Sequence, residues 1–350
     1  MPVKTMGWDI GGAHLKAVLL DEQGVALQVL QQPCQLWKGL QELHRVMQMM
    51  IDPLVAEDIA HAVTMTGELV DLFASRSDGV QQIVAAVQER LAGQAVYIYA
   101  GNDGFLDPSG IDSGNAWMIA SANWLASASY TAKKVPAGIF FDIGSTTTDI
   151  LLFRNGRVDA VGLTDYQRLC SDELVYTGIV RTPVMAIAGQ ALFQGRQVGL
   201  MAEYFATMAD VYRLTGELQE THDQTTAADG GEKTVAGSAR RLARMIGCDF
   251  DPDQLPDWIA FAEDLRRRQM DRIAHGCNRQ LARAANIQPV FVGAGIGRFL
   301  ARELAGKRQC DYVDFSDLLP HRLPQAELQT ADCAPAAAVA RLQQRSFAQI

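Results

Sequence analysis

Positive charge is in short supply in this chain. Its 350 residues carry 31 lysines and arginines against 40 aspartates and glutamates, a formal net charge of −9, with a sequence pI of about 5.2. That balance argues against a broad basic field for nucleic acid and leaves room only for a local basic patch. An anionic substrate would need local help from a lysine, an arginine, backbone amides or a metal. Long apolar runs are also missing: Ala334–Ala340 and Gly138–Phe141 are too short to span a bilayer. The opening residues Met1–Met6 lack the apolar core of a signal peptide. Six cysteines (Cys34, Cys170, Cys248, Cys277, Cys310, Cys333) include no Cys-x-x-Cys pair. The expectation is a cytoplasmic protein with reduced, mostly buried thiols and no disulfide scaffold. What is present is a hydrophobic fraction of 48% and a charged fraction of 20%, as in a globular chain that buries a real core.

The strongest signal is an internal repeat. One segment reads Gly7-Trp8-Asp9-Ile10-Gly11-Gly12-Ala13-His14-Leu15-Lys16 and continues into Ala17–Leu20. The other reads Phe141-Asp142-Ile143-Gly144-Ser145-Thr146-Thr147-Thr148-Asp149 and continues into Ile150–Phe153. Each copy is an apolar strand, an aspartate, a glycine turn and a second apolar strand. Turns follow at Asp21–Gly24 and Arg154-Asn155-Gly156, and a third strand is predicted after both.

Helical spacing marks Leu36–Ile51, Asp78–Leu91, Gly114–Ser129, Val184–Ile187, Leu200–Leu214, Ala236–Ile246, Asp257–Asn286, Arg298–Ala305 and Ala334–Ala348. Strands are predicted at Ala62–Thr66, Ala95–Tyr99, Pro289–Val292 and Asp311–Phe315. Glu220–Lys233 reads as a mobile loop; Arg240, Arg241 and Arg244 read as a solvated helix face that, beside this loop, could instead meet an anionic group, and Arg266–Arg268 as exposed helix surface. The alternation argues for α/β layers.

A glycine hairpin exposes backbone N–H groups with no side chain in the way, and such a nest binds phosphate oxygens. Two facing hairpins, at Gly11–Gly12 and Gly144–Thr147, would hold both phosphates of a diphosphate, or the β- and γ-phosphates of ATP. Ser145, Thr146 and Thr147 add hydroxyl donors. Asp9 and Asp142, at the strand ends, suit Mg²⁺, which takes few carboxylates plus phosphate oxygens; they would also suit turn caps, but their duplication favours a site. Lys16 fits a charge-neutralising role or a solvated strand position. The turn Gly293-Ala294-Gly295-Ile296-Gly297 is a weak motif alone. Asn102 lies in a turn that calls for such a residue anyway.

The two Asp-Ile-Gly hairpins and the late Gly293–Gly297 turn resemble the phosphate-one, phosphate-two and adenosine motifs of the actin, heat-shock and sugar kinase superfamily. Asp142–Asp149 resembles its hydantoinase/oxoprolinase branch. Gly7–Ala13, Thr64-Met65-Thr66-Gly67-Glu68-Leu69 and Gly293–Gly297 narrow the likeness to proteins linked to tetrahydromethanopterin one-carbon metabolism, whose archaeal members include a methanofuran synthase. The resemblance covers nearly the whole chain. It implies two ribonuclease-H-like α/β domains facing a cleft: residues 1–134, with the Ala334–Ala348 helix packing back on them, and residues 135–333, with a helical insertion.

The resemblance also implies an activity. An aminomethylfuran-methyl diphosphate condenses with a tyramine- or tyrosine-type phenol, and pyrophosphate leaves. Lys16 and Mg²⁺ would neutralise the leaving group, and Asp149, Glu68 or His14 would take the phenol proton. Gly11, Gly12, Gly144, Ser145, Thr146, Thr147, Gly293, Gly295, Gly297 and Asn102 would border diphosphate or nucleotide; whether ATP binds is left open. The partners are small molecules, neither nucleic acid nor membrane, and oligomeric state is not legible. An ATP-dependent phosphotransferase or ATPase, and a non-enzymatic nucleotide-dependent assembly protein, stay as alternatives.

Overall fold

The computed structural model describes residues 3–54, 58–284, 288–324 and 327–347. Residues 285, 286 and 348, at the ends of two predicted helices, lie outside them.

The first half builds one mixed sheet. Its strands are β1 (Lys4–Ile10), β2 (His14–Leu20), β3 (Ala26–Pro33), β4 (Ile59–Met65), β5 (Val96–Tyr99) and β6 (Phe105–Leu106), in spatial order β3-β2-β1-β4-β5-β6. β1 runs antiparallel to β2 and parallel to β4. Helices α1 (Leu40–Ile51) and α2 (Arg76–Arg90) cover its outer face. There they bury Val46, Met47, Val80 and Ile83 with Trp8 and Val63. Two short helices, α3 (Ala116–Ile119) and α4 (Asn123–Ala132), follow.

The second half repeats the plan. β7 (Ala137–Ile143) pairs antiparallel with β8 (Thr148–Arg154). Two short strands, β9 (Arg157–Val158) and β10 (Leu174–Val175), both pair with β8, and α5 (Asp165–Ser171) lies between them. The single third strand predicted after the Asn155-Gly156 turn is thus split in two. A small hairpin of β11 (Gln190–Phe193) and β12 (Arg196–Gly199) comes next, then helices α6 (Met208–Leu214), α7 (Val235–Arg244) and α8 (Leu255–Ala282). β13 (Val290–Ala294) adds in parallel to β7, α9 (Arg298–Arg308) follows, and β14 (Tyr312–Asp314) adds in parallel to β13. The order β10-β8-β7-β13-β14 reproduces β3-β2-β1-β4-β5 strand for strand.

The last helix, α10 (Ala334–Phe347), lies between the two sheets. Its alanines share one core with α4, with Val18 and Ala62 of the first sheet and with Phe140, Leu151 and Val292 of the second. The approach to β1 is close: a Cβ on Gly7 would sit 1.9 Å from the Ala336 carbonyl oxygen. Alanine and glycine stand here because larger side chains would force sheet and helix apart.

Several predicted elements differ. The helix expected over Gly114–Ser129 breaks between α3 and α4, where Ser121 takes a left-handed φ of 52°. The helix expected from Leu200 starts only at Met208, and Val184–Ala186 is a single turn. The β11–β12 hairpin was not foreseen. Its turn is Gln194-Gly195, both with positive φ, and glutamine is not a typical residue there.

Glu220–Lys233 is held by charge rather than loose. Arg213 donates to Glu220 Oε1 at 2.7 Å and to Asp223 Oδ2 at 2.8 Å. Arg241, only 1% exposed, donates to Asp210 Oδ1 at 2.8 Å and Asp229 Oδ1 at 3.1 Å. Arg241 is therefore a buried anchor and not solvated surface. Arg266 is likewise engaged, with Glu217 and Glu303. All six cysteines are free, but Cys34, Cys277 and Cys333 alone are buried while Cys170 and Cys248 are exposed.

Candidate active site

The two hairpins share one geometry. Asp9 faces Lys16 across β1–β2, and Asp142 faces Asp149 across β7–β8. The Gly11 amide donates to the His14 carbonyl at 3.0 Å, and the Gly144 amide to the Thr147 carbonyl at 2.9 Å. The amides of Gly12, Ala13, Ser145 and Thr146, inside those turns, donate to no acceptor among the described residues. Buried or cavity-lining amides of this kind demand a partner.

Each turn is buttressed from behind by a loop. At the first, the Cys34 amide donates to the Ala13 carbonyl at 2.9 Å and the Leu36 amide to the Gly12 carbonyl at 3.0 Å. At the second, the Ile179 amide donates to the Gly144 carbonyl at 3.0 Å, and the Arg181 amide to the Ser145 carbonyl at 2.8 Å. Gly178 is required there: a Cβ would lie 2.4 Å from the Thr146 nitrogen.

Both hairpins border one cavity of about 590 Å³, a size suited to small organic ligands. Asp9, Gly11, Gly12, His14, Lys16, Asp142, Gly144, Ser145, Thr146, Thr147 and Asp149 all line it. Glu68, Asn102, Gly293, Gly295 and Gly297 do not. Glu68 is buried beside the cavity, accepting from Ser121 Oγ at 2.8 Å and from Arg76 at 3.2 Å. Asn102 sits in an exposed turn. The Gly293–Gly297 turn is packed shut by its own neighbours. A Cβ on Gly295 would lie 2.5 Å from Asp142 Oδ1, and one on Gly297 would lie 2.4 Å from Ile143 Cγ2. This turn seats the Asp142 strand end: the Gly297 amide donates to the Ile143 carbonyl at 2.8 Å.

The electrostatics follow from burial. Asp9 is 6% exposed and its Oδ1 has no partner; burial raises its pKa, with Lys16 and Asn123 opposing. Burial pushes Asp142 up to about 7, and the negative charge of Asp149 adds to it. Burial works against the charge of Lys16, but Cys333, Asp9, Asp142 and Asp332 outweigh it and hold its pKa above the usual lysine value. Burial first, then the charges of Lys16 and Arg181, bring His14 down to about 4. His14 is therefore neutral near pH 7, and its buried Nε2 has no partner. Asp149 is raised by burial and opposed by Arg168, with which it forms a close ion pair. Arg168 is 2% exposed and lies 4.2 Å from the Trp124 ring centroid.

Several lining residues were not picked out from the sequence, among them Arg168, Arg181 and Asn123. The exposed Arg181 forms no ion pair among the described residues. No local pattern announces these residues, because each reaches the cavity from a segment remote from the hairpins.

Among the described residues no group of three His, Cys, Asp or Glu side chains could hold a metal ion unaided. A site offering two carboxylates, one with an unpartnered buried oxygen, nevertheless fits Mg²⁺, which completes its shell with water and phosphate oxygens. No helix among the described residues is long and apolar enough to cross a membrane.

Comparison with known proteins places this arrangement. The chain is 29% identical over 304 residues, 87% of its length and 89% of the relative's, to the (4-{4-[2-(gamma-L-glutamylamino)ethyl]phenoxymethyl}furan-2-yl)methanamine synthase of Methanocaldococcus jannaschii. It is 26% identical to the synthase of that name from Methanococcus vannielii, over 45% of this chain and 70% of that one. A nucleotide-free acetone carboxylase structure shares the fold, with a TM-score of 0.56 and 10% identity over 97% of this chain and 70% of the other. A glucokinase from Streptomyces griseus aligns over 97% of this chain and 98% of its own, with a TM-score of 0.46 and 16% identity. The expected α/β fold is present, in two halves that repeat one strand order. Residues 60–346 match the pattern described as Hydantoinase/oxoprolinase, and the chain belongs to that family.

Proposed function

We propose that the protein is a transferase of methanofuran-type cofactor biosynthesis. It joins an aminomethylfuran-methyl diphosphate to a tyramine- or tyrosine-type phenol and releases pyrophosphate. The observation that carries this reading is the pair of same-register hairpins with unpaired amides facing one cavity. The product named for the Methanocaldococcus relative, an aryloxymethyl furan amine, supports it.

The amides of Gly12, Ala13, Ser145 and Thr146, with the hydroxyls of Ser145, Thr146 and Thr147, bind the diphosphate oxygens. Lys16 and Arg181 supply positive charge at the leaving group. Asp9 and Asp142 would hold Mg²⁺, which when bound neutralises charge on pyrophosphate. The furfuryl C–O bond breaks with its electron pair going to pyrophosphate. A phenol oxygen lone pair forms the new C–O bond, and the phenol proton leaves. The neutral His14 is best placed of the three predicted bases to receive it, because it lines the cavity with a free Nε2. A weak base suffices, since attack on an electron-poor carbon acidifies the phenol proton. Asp149 is committed to Arg168, and Glu68 lies outside the cavity. Residues 1–134 with α10, and residues 135–333, serve in this reading as the two lobes.

The test mixes purified protein and Mg²⁺ with furfuryl diphosphate and tyramine, or with ATP. Pyrophosphate and an ether are expected from the first mixture alone. ADP from the second, with no ether from the first, overturns the reading in favour of an ATP-dependent phosphotransferase.

A further inference from the structure

The cavity has two unlike ends. The hairpin end is lined by backbone amides, carboxylates and Lys16, and the exposed part of the lining includes a group of large apolar side chains. Four cavity-lining side chains there are large and solvent-exposed: Trp37 at 46%, Leu69 at 53%, Leu169 at 45% and Tyr176 at 59%. By contrast Trp8, Trp124 and Trp258 are buried. Large apolar side chains gathered from both halves around one opening mark a ligand surface.

Their placement follows the pseudo-symmetry. Trp37 comes directly after Leu36, whose amide bonds the Gly12 carbonyl of the first hairpin. Tyr176 comes three residues before Ile179, whose amide bonds the Gly144 carbonyl of the second. Each hairpin thus has one aromatic ring carried on the loop that braces it. The hairpins and this rim line the same cavity, so a second substrate that meets a diphosphate seated on the hairpins would enter across the rim.

We propose that this rim is the acceptor subsite, where the ring of a phenol lies against Trp37 and Tyr176. The inference rests on the transferase reading above for the identity of the ring, while the geometry stands apart from it. Aromatic faces hold a flat ring in offset or edge-on packing at little entropic cost, because each side chain has two rotatable bonds. Leu69 and Leu169 then exclude water from the acceptor ring. Substituents beyond the ring project toward solvent, where the lining carries an exposed carboxylate, Asp71, and an exposed guanidinium, Arg181.

The experiment uses tyramine as the probe. Its binding to protein loaded with Mg²⁺ and pyrophosphate is measured by saturation-transfer NMR, and pyrophosphate binding separately by calorimetry. Trp37→Ala and Tyr176→Ala should each weaken tyramine by about tenfold and leave pyrophosphate affinity within about twofold. Trp37→Phe and Tyr176→Phe should recover most of the loss. Both positions are exposed, and unchanged melting temperatures verify folding. Equal tyramine binding by wild type and the double alanine variant overturns the proposal, as does a parallel fall in pyrophosphate affinity. Displacement of tyramine by adenosine would also overturn it, assigning the rim to a nucleobase. The two readings separate cleanly. Tyramine binding lost in the alanine variants, with no ether formed by wild type, keeps the subsite and sinks the transferase. Ether formation with an unchanged phenol KM in both variants keeps the transferase and sinks the subsite.

Discussion

The two hairpins are copies in backbone and opposites in charge. Both pair an aspartate with the residue seven positions later, and both close on one Gly amide-to-carbonyl bond. In the first copy the facing residue is Lys16, so Asp9 has its counter-charge on the neighbouring strand. In the second it is Asp149, and two carboxylates face each other. Like charges that close are costly unless a cation intervenes. Arg168, reaching in from α5, pairs with Asp149 and leaves Asp142. The two copies share the hairpin backbone, while the charge on each is settled by different neighbours.

The largest expected effect tests that difference in stability. Arg168→Met should destabilise the fold by about 3–5 kcal/mol, because it strands a buried carboxylate. Asp149→Asn added to it should restore most of the loss, measured by urea unfolding. Lys16→Met, at the position that Asp149 holds in the second copy, should cost activity far more than stability, since Lys16 lines the cavity. Equal stability losses in the two copies would erase the distinction.

Next come the shared aspartates. Asp9→Asn and Asp142→Asn keep shape and most turn hydrogen bonds. Each should fold normally and lose roughly 100-fold or more in Mg²⁺-dependent turnover, as for one lost transition-state charge contact. Near-normal steady-state rates in both variants would break the claim that the copies meet at one centre.

A pH effect separates the halves further. Behind the first hairpin, the Trp8 indole N–H donates to His61 Nδ1 at 3.0 Å, and the other ring nitrogen meets Gln94. Burial lowers His61 to about 4, with the Gln94 bond opposing. The unfolded chain binds this proton near pH 6.5 and the folded chain only near pH 4. Stability is therefore full above about 6.5 and falls as pH drops toward 4, by roughly 2 kcal/mol between pH 7.5 and pH 5. Denaturant midpoints should show that slope, and His61→Gln should flatten its share of it.

The smallest effect concerns the turn ends, His14 in one copy and Thr147 in the other. His14→Thr makes the first hairpin resemble the second. Turnover should drop by about tenfold while pyrophosphate affinity by calorimetry stays unchanged. A matching loss of pyrophosphate affinity would make His14 a phosphate ligand instead of a proton acceptor.

Some of this was legible in the residues. The strand–Asp–Gly–strand pattern is local, so the sequence announces both hairpins, and their duplication announces that they belong together. Strands β4, β5, β13 and β14 were legible from apolar runs, and α10 from its alanines. The break at Ser121 was not. There the Ser121 hydroxyl joins Glu68, Arg76 and Asp165, partners 44 to 53 residues away, and no helical propensity reports them. The ordered Glu220–Lys233 segment was hidden for the same reason, since its polar composition matches that of a loose loop until Arg213 and Arg241 are brought under it.

The sequence by itself determined the repeat, the α/β class and the two glycine hairpins, because those depend on residues within one turn of each other. Only the tertiary structure decided which charges survive at the site. It brought Arg168 and Arg181 to the second hairpin and packed Gly293–Gly297 against Asp142 instead of opening it to the cavity. It also set Trp37 and Tyr176 at one mouth. Burial and pairing are properties of segments that meet in space, and coulombic and desolvation energies follow that meeting and not the order of the chain.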